Sequence, residues 1–197
     1  MNKFYKLITL FSLVLMVFNC NSIEKNIKII QKQAFREVIV KSSLEKNIVF
    51  SIKIANRLEI KNKALLNEFS FIKINYLYSD SLSKWANRNI ELYKLNKEKL
   101  KRISNNKKKT VPSKGNLEYI YYTRHFIDSM KTTQQQFRPY IEKMLKENKD
   151  TLHIGTVADF KVKHKELFEK LTKNDSISIR FLDGEKMGER ITVPVEW

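Results

Sequence analysis

The sequence predicts a mainly β fold with two helices: an immunoglobulin-like β-sandwich, with an α+β sheet carrying the helices on one face as the alternative. Three observations lead there. Apolar and β-branched residues recur with period two in short runs between residue 36 and about 128, helical periodicity is confined to about 134–175, and alternation returns over the last twenty or so residues.

In chain order, REVIVKS (36–42) is the first candidate strand. KNIVFSIKIA (46–55) alternates Ile48, Phe50, Ile52 and Ile54 with Val49, Ser51 and Lys53, so the first set is expected to face the core. NEFSFIKINYLY (67–78) offers apolar side chains to both faces, and IELYKL (90–95) and LEYIYYTRHFI (117–127) read as further strands, the latter preceded by a VPSKG loop (111–115). Tyr119 and Tyr121 share a face with Thr123 and His125, whereas Tyr122 joins Ile120 and Phe126. One of these faces has to be core, which weighs against a carbohydrate- or base-stacking platform.

QQQFRPYIEKMLKEN (134–148) puts Phe137, Ile141, Met144 and Leu145 on one helical face, with Pro139 expected in the first turn. TVADFKVKHKELFEKLTKND (156–175) carries a stripe of Phe160, His164, Leu167, Phe168 and Leu171, and Thr156 with Asp159 reads as a capping box. TLHIGTV (151–157) is a strand between the helices. SISIRFL (176–182), with Ile177, Ile179 and Phe181 on one face, and RITVPVEW (190–197), with Ile191, Val193, Val195 and Trp197 on one face, form a closing hairpin. Pro194 cannot donate to a ladder, so the last strand is expected at an edge.

The net charge is +17, and it is unevenly spread. Residues 21–114 hold 22 basic and 8 acidic side chains, against 14 and 13 in residues 115–197. Within the first part, KLNKEKLKRISNNKKKTVPSK (94–114) has nine basic residues and one acid, Glu98. A solubilising edge is one reading of this stretch; electrostatic contact with an anionic surface through Lys107, Lys108, Lys109 and Lys114 is the other. Lysine rather than arginine predominates, which suits diffuse attraction more than bidentate recognition.

The chain opens MNKFYK and continues LITLFSLVLMVF before turning polar at NCNS, the layout of a basic n-region, an apolar h-region and a cleavage zone. Twelve apolar residues make a helix of about 18 Å, short of the roughly 30 Å of a bilayer core. Val17, Phe18, Asn19 and the sole cysteine, Cys20, resemble a bacterial lipobox, although Phe18 and Asn19 are bulkier than the small residues usual there. The resemblance covers the first 22 residues only. It implies a signal peptide over 1–19, acylation of Cys20 with fatty acids such as palmitate, an anchor and tether over 20–35, and a single β-rich domain over 36–197. Ordinary signal cleavage after Ser22 and an uncleaved anchor are the alternatives.

Chemistry is sparse. His125, His153 and His164 stand in no metal-binding spacing, and His164 falls on a helical stripe where a satisfied core histidine is expected. With one cysteine and four glycines the chain has neither a thiolate metal site nor a phosphate loop, and no catalytic, metal or cofactor residue is assigned. The sequence therefore points to a non-enzymatic envelope lipoprotein held on a membrane by its lipid anchor. Its expected partner is an acidic envelope polymer, anionic lipid or another protein, with no nucleic acid expected. An inhibitor or immunity-type lipoprotein and a hydrolase of an unrecognised family are the rival readings; the second requires a pocket in which His125 or His153 meets a carboxylate.

Overall fold

The structure is a computed structural model that describes residues 22–86, 90–97 and 99–197. Cys20 and the segment 1–19 lie outside the described residues. The strands are β1 (Ile27–Gln33), β2 (Glu37–Ser43), β3 (Ile48–Asn62), β4 (Phe69–Leu77), β5 (Glu91–Asn96), β6 (Lys99–Ile103), β7 (Lys109–Val111), β8 (Asn116–Phe126), β9 (Thr151–Thr156), β10 (Ser176–Asp183) and β11 (Lys186–Pro194). The helices are α1 (Ile23–Asn26), α2 (Ser81–Ala86), α3 (Lys131–Gln135), α4 (Arg138–Glu147), α5 (Val157–Lys163) and α6 (Lys165–Thr172). The protein is mainly β, as the alternating runs require, and its strands form two antiparallel sheets in a sandwich-like arrangement.

The larger sheet runs β6-β5-β8-β3-β2-β9, and β1 pairs with β3 as well. One edge of β3 takes β2 along Ile48–Lys53 and β1 along Asn56–Asn62, because fifteen residues are long enough for two successive partners. The smaller sheet runs β11-β10-β4-β7, which puts Pro194 on an edge strand as expected. On the inner face of β3, Leu58 and Ile60 meet Phe71, Ile74, Ile177, Ile179 and Phe181 of the smaller sheet. Ile52 and Ile54 meet Phe137, Met144, Phe160 and Phe168 of the helices instead. One sheet face thus has two covers, a second sheet at one end and helices at the other.

Local signals read from sequence have physical counterparts. Thr156 Oγ1 accepts from the Asp159 N–H at 3.2 Å while the Asp159 carboxylate accepts from the Thr156 N–H at 2.9 Å, a complete capping box. Pro139 lies in the first turn of α4, where its missing N–H costs nothing. At the other end of α4, Asn148 takes the left-handed conformation (φ 49°) and the Lys149 N–H returns to the Met144 carbonyl. The stripe on 156–175 is buried throughout, but the helix breaks at His164 (φ −128°, ψ 46°), so α5 and α6 wrap the core as two short pieces.

Three expectations are corrected. Residues 27–33, assigned to the tether, form β1, paired to β3 over its whole length; only Ile27 and Gln31 of this strand are buried, so its lysine-flanked sequence carries little pattern. The face of 48–54 is set by a bulge: Lys41 pairs with Ser51 and Ser42 with Val49, leaving Phe50 as the extra residue. Val49 is therefore buried in place of Phe50, which is 37% exposed. A second bulge, between Phe71 and Ile74 of β4 opposite Phe181 and Ile179, lets both apolar phases of that strand point inward in succession. Strands β6 and β7, rich in lysine and short, were not legible as strands.

Leu58, with no exposed surface and packed between the sheets, reports on this core. Leu58→Ala is expected to cost about 3 kcal/mol in equilibrium urea unfolding, from lost apolar contact plus the cavity left behind.

Candidate functional site

The basic stretch 94–114 crosses from one sheet to the other along an open side of the sandwich. Its β5–β6 hairpin forms one edge of the larger sheet, and β7 forms an edge of the smaller. Two of its lysines close that side. The Lys94 ammonium sits 5.8 Å from the ring centroid of Tyr119, and that of Lys109 sits 5.6 Å from the ring of Phe71. Lys109 Nζ also donates to the carbonyls of Ile72 (2.7 Å), Lys107 (2.8 Å) and Asn105 (3.0 Å). Burial and the neighbouring Lys94 charge pull its pKa down to about 8, and its donors are spent on backbone. Asn105 completes the seal: its amide accepts from the Ile74 N–H at 3.0 Å and donates to the Ile74 carbonyl at 2.7 Å, as a neighbouring strand would.

The four lysines singled out from sequence therefore divide. Lys107 and Lys108 project into solvent together, Lys109 is turned inward, and Lys114 is exposed on a separate loop whose N–H donates to the Ala64 carbonyl at 3.1 Å. That loop belongs to the end of the sandwich where the described chain starts. There the Ile23 N–H donates to Glu189 at 2.9 Å, the Lys63 N–H to Asn26, and Ser113 Oγ to the Leu65 carbonyl at 2.6 Å. Leu65 and Leu66 on this end are 68% and 89% exposed.

The outer face of the larger sheet carries several charged pairs. Lys53 meets Glu91 at 2.6 Å, Arg57 meets Glu118 at 2.7 Å, Lys61 meets Glu59 at 3.3 Å, and His153 Nδ1 meets Glu37 at 3.0 Å. The His153–Glu37 pair spans two neighbouring strands on an open surface with both side chains more than half exposed, not a pocket. Hydrogen bonds from Asn116 and Lys61 hold the Glu59 carboxyl below its ordinary range.

Inside, the tyrosine-rich strand β8 faces the seam between the two halves of the core. Tyr119, Tyr121, Thr123 and His125 are all buried, so these rings are core, while Tyr122 packs on Tyr93 at the outer face. The Tyr76 hydroxyl donates to Asp175 at 2.7 Å, and the other carboxylate oxygen accepts from the Ser79 N–H at 2.7 Å. Burial raises the Asp175 pKa, against the pull of those donors. Thr123 Oγ1 donates to the Ile54 carbonyl at 3.2 Å, which commits its one proton, so the 2.9 Å contact with His125 Nε2 is an N–H donated by the histidine. His125 lies edge-on to Tyr78 with ring centroids 5.3 Å apart, and Nδ1 makes no well-formed hydrogen bond. Burial lowers the His125 pKa to about 4, outweighing the Asp80 charge and the Leu171 carbonyl. His164 donates to or accepts from Tyr140 at 3.1 Å and stacks on Phe137, as a core histidine should.

Among the described residues no group of three or more His, Cys, Asp or Glu side chains is placed to hold a metal ion, and no helix is long and apolar enough to cross a membrane. Comparison with known protein families, curated proteins and solved structures returned no match to the chain.

The buried histidine gives stability a pH dependence. The unfolded chain takes up a proton on His125 near pH 6.5, the folded chain only near pH 4, so its contribution is complete above 6.5 and is lost as pH falls toward 4. At about 1.4 kcal/mol per pH unit the loss sums to about 3 kcal/mol, offset in the carboxylate range by protonation of Asp175 in the fold. Urea unfolding at pH 7 and pH 5 is expected to show about 2 kcal/mol of this loss in the parent chain and a much flatter dependence in His125→Gln.

Proposed function

We propose that the protein is a lipid-anchored module of the bacterial cell envelope that binds an acidic partner and catalyses no reaction. The observation that carries this reading is the position of the folded domain's start. One residue, Asn21, separates Cys20 from Ser22, and Ser22 leads into α1 at the end of the sandwich that exposes Leu65 and Leu66. An acylated Cys20 would hold that end within a few ångströms of the bilayer surface, since a residue spans at most about 3.6 Å. The two leucines then face the interfacial layer, where apolar side chains gain free energy, and Lys114 beside them adds up to about 1 kcal/mol toward an anionic leaflet.

The acidic partner is supported by charge. The excess of basic over acidic residues is concentrated in residues 21–114, and along the 94–114 edge Lys107 and Lys108 stand in solvent without an ion pair among the described residues. The histidine surroundings support the absence of catalysis: one ring is sealed in the core and another lies on an open sheet surface.

Labelled palmitate is expected to enter the parent protein and to be missing from Cys20→Ser, with that variant leaving the membrane fraction. A parent protein that takes up no label refutes the anchor and leaves a soluble exported protein.

A further inference from the structure

The outer face of the smaller sheet carries cations of its own, outside the 94–114 stretch. Strand alternation turns Tyr76, Ile177 and Ile179 inward and Asn75, Leu77, Ser178 and Arg190 outward. Over the outward set lies a groove of about 500 Å³, walled on one side by Lys84 of α2. Arg180 pairs in register with Arg190, so the two arginines belong to the same outward face on neighbouring strands. Among the described residues Lys84, Arg180 and Arg190 have no carboxylate within 4.0 Å. The residues outside that set contain a single acid, Glu98, which falls between β5 and β6 of the other sheet. Three other surface grooves all carry carboxylates: Glu166 and Glu169 in one, Glu142 in another, Glu68 and Glu189 in a third.

The groove mixes apolar groups of Tyr76, Leu77 and Tyr78 with polar ones that have hydrogen-bonding capacity to spare. Ser178 is only 3% exposed, and its oxygen accepts from Thr192 Oγ1 at 3.1 Å, which leaves its own proton uncommitted. Asn75 sits beside it in register with an amide that makes no hydrogen bond among the described residues. Two or three cations over hydroxyl and amide groups match a ligand that is both anionic and rich in hydroxyls.

We infer that this groove binds an acidic polysaccharide, with Lys84 and Arg190 taking a carboxylate or sulfate and Ser178 and Asn75 taking sugar hydroxyls. The inference rests on the binding-module reading and supplies its site and ligand class. An acidic peptide fits less well. Strand addition is disfavoured at Pro194, which ends the edge strand β11 and has no N–H to offer, and along Ile72–Ile74 of β4, where the Asn105 and Lys109 side chains occupy backbone groups. Tyr76 and Tyr78 border the groove but are almost wholly buried, which leaves little aromatic surface to anchor a peptide side chain. The anchoring bilayer is also too far. From Phe69, near the leucine-bearing end, to Leu77 at the groove is eight strand steps, about 26 Å, against a screening length of about 8–10 Å.

The test uses purified full-length protein in neutral detergent and measures binding of a heparin-derived dodecasaccharide by calorimetry at several salt concentrations. The expected result is that Lys84→Gln/Arg190→Gln weakens binding by at least about tenfold and flattens its salt dependence, while Lys107→Gln/Lys108→Gln changes it by less than about threefold. Ser178→Val, which keeps the charge, is expected to weaken it by about threefold or more. Circular dichroism and melting curves identical to the parent's confirm that the variants are folded. Binding by the parent that the groove variants leave unchanged overturns the groove while sparing the module reading; a parent that binds no saccharide overturns the inference, and one that binds neither saccharide, polyglutamate nor phosphatidylglycerol vesicles overturns the module reading as well. Tighter binding of polyglutamate than of the saccharide, or loss of phosphatidylglycerol-vesicle binding alone, assigns the groove to a protein or a lipid and overturns the inference.

Discussion

The structure depends on a single constraint: strand β3 is fifteen residues long, and no one layer covers its inner face. At a rise of about 3.3 Å per residue it runs close to 50 Å, more than one packed sheet of ordinary strand length can span. The smaller sheet covers the half that carries Leu58 and Ile60, and the helices cover the half that carries Ile52 and Ile54. Between them lies a seam, and the residue of β3 at that point is Asn56, fully buried. A buried amide costs free energy unless it is bonded, and Asn56 meets that demand by donating to the Glu196 carbonyl at 2.9 Å and accepting from the Arg57 N–H at 2.8 Å.

The seam is closed by the segment 194–197, tied from four directions. Gln31 donates to the Pro194 carbonyl at 2.6 Å, the Val195 N–H donates to Asp175, Asn56 holds Glu196, and Lys161 donates to the Trp197 backbone oxygen at 2.9 Å. Trp197 itself packs against both halves of the core. The buried polar groups of the protein gather around this segment: Tyr121 donates to Gln31, Tyr76 to Asp175, and His125 lies 6.5 Å from the Trp197 ring. The network joins two covers that share no sheet hydrogen bonds, which explains why polar residues are tolerated there at a desolvation cost. Low dielectric strengthens each satisfied bond and penalises each charge, hence the opposed shifts of Asp175 and His125.

Charge follows the same division of surfaces. On the larger sheet, the ion pairs Lys53–Glu91, Arg57–Glu118 and Lys61–Glu59 stand among like-charged cross-strand neighbours such as Lys28–Lys61, Lys32–Arg57 and Glu59–Glu118, and each adds a few tenths of a kcal/mol. On the smaller sheet, Arg180 and Arg190 are direct cross-strand neighbours of like sign, an arrangement that costs stability and that no nearby carboxylate relieves. Lys94 and Lys109 show the contrary use of a cation, as lids on aromatic rings at the open side of the core.

By itself the sequence determined whatever depends on neighbours in the chain. The alternation of Ile177, Ile179 and Phe181, the stripe from Phe160 to Leu171, the capping box at Thr156, and the edge position forced by Pro194 are local physics, and all stand in the structure. The tertiary structure decided what depends on partners far away. The bulge that swaps Phe50 for Val49 exists because β2 and β3 must pair out of step, and β1 is a strand only because the far half of β3 has a free edge. Lys109 could not be told from Lys107 or Lys108 in a run of three lysines, since its burial comes from carbonyls on Ile72 and Asn105. The cationic groove was invisible for the same reason: Lys84, Ser178 and Arg190 are over a hundred residues apart at the extremes, and only the pairing of β4 with β10 and β10 with β11 brings them onto one face.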